Sequence, residues 1–180
     1  NLNRTSVHGI DDPRVAALGE VDTAIELGAY AGVARVGVVT SDYDRLSFTL
    51  TYRHDVTGVH DSAVVTPTLS YSTPISPRSV FALYVSADHV GDGYARTYFG
   101  VTPDGAVASG LPVYTPDGGW KNWGFGAGGS YALVGTLTGG LQLVGGIGYR
   151  RLIGDFADSP LTQRGSADQW LGAIGLGFNF

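Results

Sequence analysis

The sequence predicts an all-β protein, a transmembrane antiparallel up-and-down β-barrel of the kind found in bacterial outer membranes. Three observations carry this. Large apolar residues recur at every second position in segments of about 9–11 residues, the length of a membrane-crossing strand. Glycine supplies 28 of the 180 residues, about twice ordinary usage, yet no apolar run approaches the ~20 residues of a membrane helix. The joins between segments differ in length in the way that short periplasmic turns and long outer loops do.

Successive side chains of a strand point to opposite faces, so each segment divides by parity. In 25–36, Ile25, Leu27, Ala29, Ala31 and Val33 form the outward set and Glu26, Gly28, Tyr30, Gly32 and Ala34 the inward one. In 45–53, Leu46, Phe48, Leu50 and Tyr52 oppose Arg45, Ser47, Thr49, Thr51 and Arg53. In 62–72, Ala63, Val65, Pro67, Leu69 and Tyr71 oppose a row of Ser, Thr and Val. Proline cannot donate to a ladder, so a bulge is expected at Pro67. In 80–88, Phe81, Leu83, Val85 and Ala87 face out and Asp88 faces in. The segment 122–133 sets Trp123, Phe125, Ala127, Tyr131 and Leu133 against Asn122, three glycines and Ser130. The segment 141–152 sets Leu141, Leu143, Ile147 and Tyr149 against Gln142, Gly146, Gly148 and Arg150. The last, 168–180, is the strongest: Trp170, Ile174, Leu176, Phe178 and Phe180 share one face. A strand that ends on aromatic residues suits barrel closure at a membrane interface. No stretch shows a convincing helical period.

The joins fall at 37–44, 54–61, 73–79, 89–121, 134–140 and 153–167. With short turns in the periplasm, the last strand ends there. Residues 1–21 then form an outer loop or a disordered start, and 89–121 a long extracellular loop. Single-chain bacterial barrels have an even strand number and both termini in the periplasm. Seven strands beginning outside therefore predict an odd number of further strands before Asn1, giving ten to twelve in the complete protein. Residues 1–180 are expected to be the C-terminal portion of a single barrel domain. The absence of Met means that residue 1 is not a translation start.

Composition narrows the function. A net charge of −5 argues against a nucleic-acid surface. The absence of Cys excludes disulfides and thiolate metal sites. The histidines are His8, His54, His60 and His89, and a Ser-His-Asp set can be drawn from His54, Asp55, His60, Asp61 and Ser62. Nothing marks a nucleophile, and no oxyanion-hole motif lies beside it. These residues, with Asp42 and Asp44, are expected to be solvated loop and turn groups, not a catalytic or metal site. No cofactor is implied. Inward charges are more informative. Glu26, Arg45, Arg53, Asp88 and Arg150, with Gln142, are expected to face the lumen, where mixed signs favour pairing across it. Tyr94, Tyr98, Phe99, Tyr114 and Trp120 make the 89–121 loop unusually aromatic, and it is expected to fold inward or across the mouth and to narrow the lumen. It is one candidate for the room left by inward glycines.

Several stretches resemble the MipA/OmpV family of outer-membrane proteins, the MltA-interacting protein family. They are LGEVD at 18–22 with ELG at 26–28, YARTYFGV at 94–101, ASGLPVY at 108–114, YRRLIGD at 149–155, ADSP at 157–160 and QRGSADQ at 163–169. The resemblance implies a non-enzymatic barrel in the cell outer membrane, in contact with lipid and lipopolysaccharide. It implies a scaffold that holds a murein-degrading transglycosylase near a murein synthase. It implies no catalytic residues. A small diffusion pore or solute receptor is the alternative, and a lipid-modifying enzyme a distant third.

Overall fold

The computed structural model describes residues 12–179; His8 and Phe180 lie outside them. Seven strands form one sheet in sequential order: β1 Glu26–Val36, β2 Arg45–Asp55, β3 Ala63–Ser76, β4 Ser79–Val90, β5 Gly119–Ala132, β6 Gly140–Leu152 and β7 Asp168–Asn179. Every neighbouring pair is antiparallel. This is the up-and-down pattern expected from alternation. The sheet is not closed: among the described residues β1 pairs only with β2, and β7 only with β6. It is nevertheless curled, because the turns after β1, β3 and β5 line one common recess. Among the described residues no helix is long and apolar enough to cross a membrane.

The outward face keeps its large apolar side chains exposed. Leu50, Leu69, Leu83, Val85, Ile147, Ile174 and Leu176 form an aliphatic band across β2 to β7. Aromatics border it at both ends. At one end Trp123, Phe125, Tyr149 and Trp170 touch in succession across three strands, with centroids 4.9–6.0 Å apart. At the other stand Phe81, Tyr131 and Phe178. An apolar band between aromatic girdles is what hydrocarbon flanked by two interfaces selects. The inner face is polar on one side, where Ser47 and Ser70 hydrogen-bond at 2.8 Å and Thr49 and Thr51 stand opposite Thr68 and Thr66. On the other side it is glycine.

Several sequence expectations need correction. Pro67 makes no bulge: the β2–β3 register runs straight through Leu50↔Pro67. On the β4 side the register is the same before and after it, with pairing interrupted at Thr66 and Pro67. The missing N–H removes a ladder bond without adding a residue. The 89–121 loop is shorter, because β4 runs to Val90 and β5 starts at Gly119. Nor is it irregular. It contains two helices, α2 Asp92–Phe99 and α3 Pro103–Ser109, while α1 Pro13–Ala16 precedes β1 and α4 Asp155–Asp158 lies in the connection after β6. All are too short to register in the 11–18-residue windows that detect helical period; α3 is instead marked by Pro103 at its start, the Thr102 cap on Gly105, and Gly110 at φ +68°. Beside two of the inward glycines, Gly126 and Gly148, the room is taken by Tyr84 of β4. A Cβ on Gly126 would lie 2.4 Å from its ring, and one on Gly148 2.7 Å from its hydroxyl.

The apolar cores lie at one end of the sheet, outside the aromatic girdle. Val64, Val90, Ala95, Tyr98, Phe99, Leu152 and Phe156 form one cluster. Val15, Val101, Leu111 and Leu161 form a second. We call this layer the cap. It is drawn from the segment before β1 and from the connections after β4 and β6.

Candidate functional site

Beneath the cap, charged side chains from both halves of the sheet meet on the inner face. Glu26 opens β1. One carboxylate oxygen takes a 2.7 Å hydrogen bond from Arg53 of β2, and the other lies 3.3 Å from His60 Nε2. The His60 ring is fully buried. Its ring sits 5.2 Å from that of Tyr94 and 5.7 Å from that of Tyr98, both on α2. The loop carrying His60 is fixed by Asp55, which accepts from the backbone N–H groups of Thr57, His60 and Asp61 and from the Thr57 hydroxyl. The expectation of solvated loop groups is therefore wrong for His60, Asp55 and Ser62, which are all buried. His54 approaches Asp61 at 3.7 Å; among the described residues Ser62 makes no hydrogen bond to either histidine.

Asp88 is the second centre. Thr66 and Asn122 donate to its two oxygens at 2.7 and 2.9 Å. Lys121 reaches it at 3.3 Å and Arg150 at 3.8 Å. Lys121 also donates to the Tyr94 hydroxyl at 3.1 Å and lies 4.7 Å from the centre of that ring. Tyr94 thus bridges the two centres, since it touches His60 on one side and Lys121 on the other. Lys121 escaped the parity rule for a physical reason. Asp88 pairs with Asn122, but His89 pairs with Trp120, so Lys121 is an extra residue in β5. A bulge of this kind re-aims a side chain: it turns Lys121 inward and Trp120 outward, edge-on to His89 at 5.2 Å.

The other sequence-chosen residues are placed as follows. Tyr98 and Phe99 are buried in the cap core; Tyr94 packs against it, and Tyr114 against the second cluster. The Tyr114 hydroxyl donates to the Asp155 carbonyl at 2.9 Å, and burial beside Asp155 and Asp158 pushes that phenol's pKa up. Trp120 belongs to β5, exposed on the outward face, and not to the connection. Arg45 and Gln142 lie at the opposite end of the sheet, apart from the ring. Gln142 donates to the Leu137 carbonyl at 2.7 Å. Trp170, Ile174, Leu176 and Phe178 share one exposed face of β7. At that opposite end Asp44 is caged, contrary to the solvated turn expected. It accepts from Thr40, Val38, Val39 and Ser41 N–H groups. Led by the Thr40 bond, and against the effect of burial, these hold its carboxyl well below the usual carboxylate range.

Exposed apolar outward rows, aromatic girdles and charges gathered on the inner face fit the up-and-down sheet of a membrane β-barrel rather than a soluble sandwich. Residues 3–180 match the family described as MltA-interacting protein MipA, and the chain belongs to that family, one of outer-membrane, scaffold-type proteins. No curated protein and no solved structure matches the chain.

Proposed function

We propose that the protein acts through protein contacts, holding a murein-degrading transglycosylase near a murein synthase on the periplasmic side of the outer membrane. The observation that carries this is the family match over residues 3–180, a family described by its interaction with MltA. The geometry supports it. Most charges under the cap are paired and the cap is packed over them, an arrangement suited to contact rather than bulk diffusion. The docking face we assign is the turn end, where Tyr43, Pro74, Ile75, Pro77 and Leu137 line an apolar recess of about 570 Å³. Its hairpins are held before a partner arrives: Asp44 cages the first, and Arg78 donates to the Ala132 and Leu133 carbonyls at 2.7–3.0 Å. Preorganised apolar recesses are where binding energy concentrates. The outward band contacts outer-membrane lipid and lipopolysaccharide.

The test uses the native protein in lipid nanodiscs and purified MltA. Binding that Ile75→Lys and Leu137→Lys weaken, with silent planar bilayers, is the expected result. Steady open currents without MltA binding would replace this reading with the diffusion pore.

A further inference from the structure

We propose that the inner face carries, just beneath the charged ring, a binding site for a small oxyanion-bearing solute, with Arg150 as its anchor. The site is a recess of about 320 Å³ whose lining includes Tyr84 and Ser86 of β4, Gly124 of β5, Gly148 and Arg150 of β6, and Gln169 of β7. It is distinct from the docking face at the far end, and it stands or falls separately from the scaffold reading.

The argument begins with Asp88. Its carboxylate already has three close donors, from Thr66 at 2.7 Å, Asn122 at 2.9 Å and Lys121 at 3.3 Å. Arg150 stands off at 3.8 Å, beyond hydrogen-bond length. Among the described residues it is within ion-pair distance of no other carboxylate, since Glu26 is engaged by Arg53. One carboxylate thus faces two cations, and the surplus positive charge lies on Arg150. Its side chain is 47% exposed and its planar fork of donors is unspent.

The surroundings suit an oxyanion. Gln169 is directly opposite Arg150 in the β6–β7 ladder, and its amide takes no protein partner among the described residues. Gly124 is the ladder partner of both Arg150 and Ser86, so the floor is bare backbone. The Tyr84 hydroxyl lies over Gly148. An arginine fork, an amide, two hydroxyls and a flat floor match a carboxylate or phosphate on a small polar body. The volume is at the lower end of ligand sites, which admits a molecule of about monosaccharide size and no polymer. Arg151 is the internal contrast. It is the next residue, it faces outward, and Asp168 holds it at 2.9 Å.

The experiment titrates the native protein in nanodiscs with glucuronate, glucose 6-phosphate and glucose. Isothermal titration calorimetry supplies the readout. Expected are saturable changes with one or both anions and none with glucose; which anion answers identifies carboxylate or phosphate as the preferred group. Arg150→Gln should weaken the response about tenfold or more, the loss of a charge-assisted hydrogen bond, and Arg151→Gln should leave it unchanged. Equal weakening in the two variants, an unchanged response in Arg150→Gln, a response to glucose equal to that of the anions, or silence toward both anions would overturn the site. If Arg150→Gln does not fold, the wild-type comparison of glucuronate, glucose 6-phosphate and glucose decides alone.

Discussion

Lys121 joins the cap to the sheet because β5 contains one residue more than β4 can pair. Its ammonium and the Asp88 carboxylate are both largely buried. Removing Lys121 leaves Asp88, among the described residues, with only the more distant Arg150 as its cation, 3.8 Å away. Lys121→Met is therefore expected to cost about 1.5–3 kcal/mol, the loss of a hydrogen bond between charged groups, measured by reversible urea unfolding in bilayers, and to loosen α2 through Tyr94. Asp44 gives a prediction of opposite character. Its folded pKa is depressed, so its stabilising contribution is present above the unfolded value of about 3.9. It is lost as pH falls through the lower folded value. Protection of the Val38–Ser41 amides, taken relative to the intrinsic exchange rate at each pH, should fall on acidification below about pH 4, and Asp44→Ala should show the low protection already at neutral pH. Neither residue was legible from pattern alone. Parity assigns Lys121 to the wrong face because the bulge is invisible without its partner strand. Asp44 reads as an ordinary turn carboxylate until the turn is folded around it.

At the scale of elements, the strands were almost wholly legible, because two-residue alternation is a local property of each segment. Their bounds moved by at most a few residues, mainly where β3 to β5 continue beyond the hydrocarbon-facing rows. The short helices were not legible. Four to eight residues give too few turns for a period, and their stability comes from packing on Phe156 and Leu161. The charged ring was half legible: alternation puts Glu26, Arg53, Asp88 and Arg150 on one face, but not His60, which arrives from a connection. The face assignment itself is testable. Leu50 lies in the exposed aliphatic row, while Thr49 faces inward opposite Thr68. Leu50→Arg should cost about 2–4 kcal/mol near the midplane, and Thr49→Arg much less. Equal destabilisation in urea titration would reverse the two faces.

At the scale of the whole molecule, β1 and β7 both run from the cap end to the turn end, so they are parallel to each other. Among the described residues each keeps one edge unpaired, and such an edge cannot rest in hydrocarbon, where each unsatisfied backbone group costs several kcal/mol. Antiparallel closure between two parallel edges takes an odd number of strands. Residues 1–180 refolded alone into lipid should lack the heat-modifiable mobility of a closed barrel; a compact, protease-resistant monomer would show that β1 and β7 find each other directly. The cap has a consequence for how such a sheet is made. Its main cluster takes Val64 and Val90 from strand ends, Phe99 from the connection after β4, and Leu152 and Phe156 from around the end of β6. Those side chains cannot meet until three separate hairpins have carried their ends through the bilayer. Burial of Phe99 against Phe156 is therefore expected to come late in insertion, and once made to oppose the backward slip of every strand that contributed. On this expectation the cap would act as a ratchet, converting the completed passage of several hairpins into one cooperative, hard-to-reverse step.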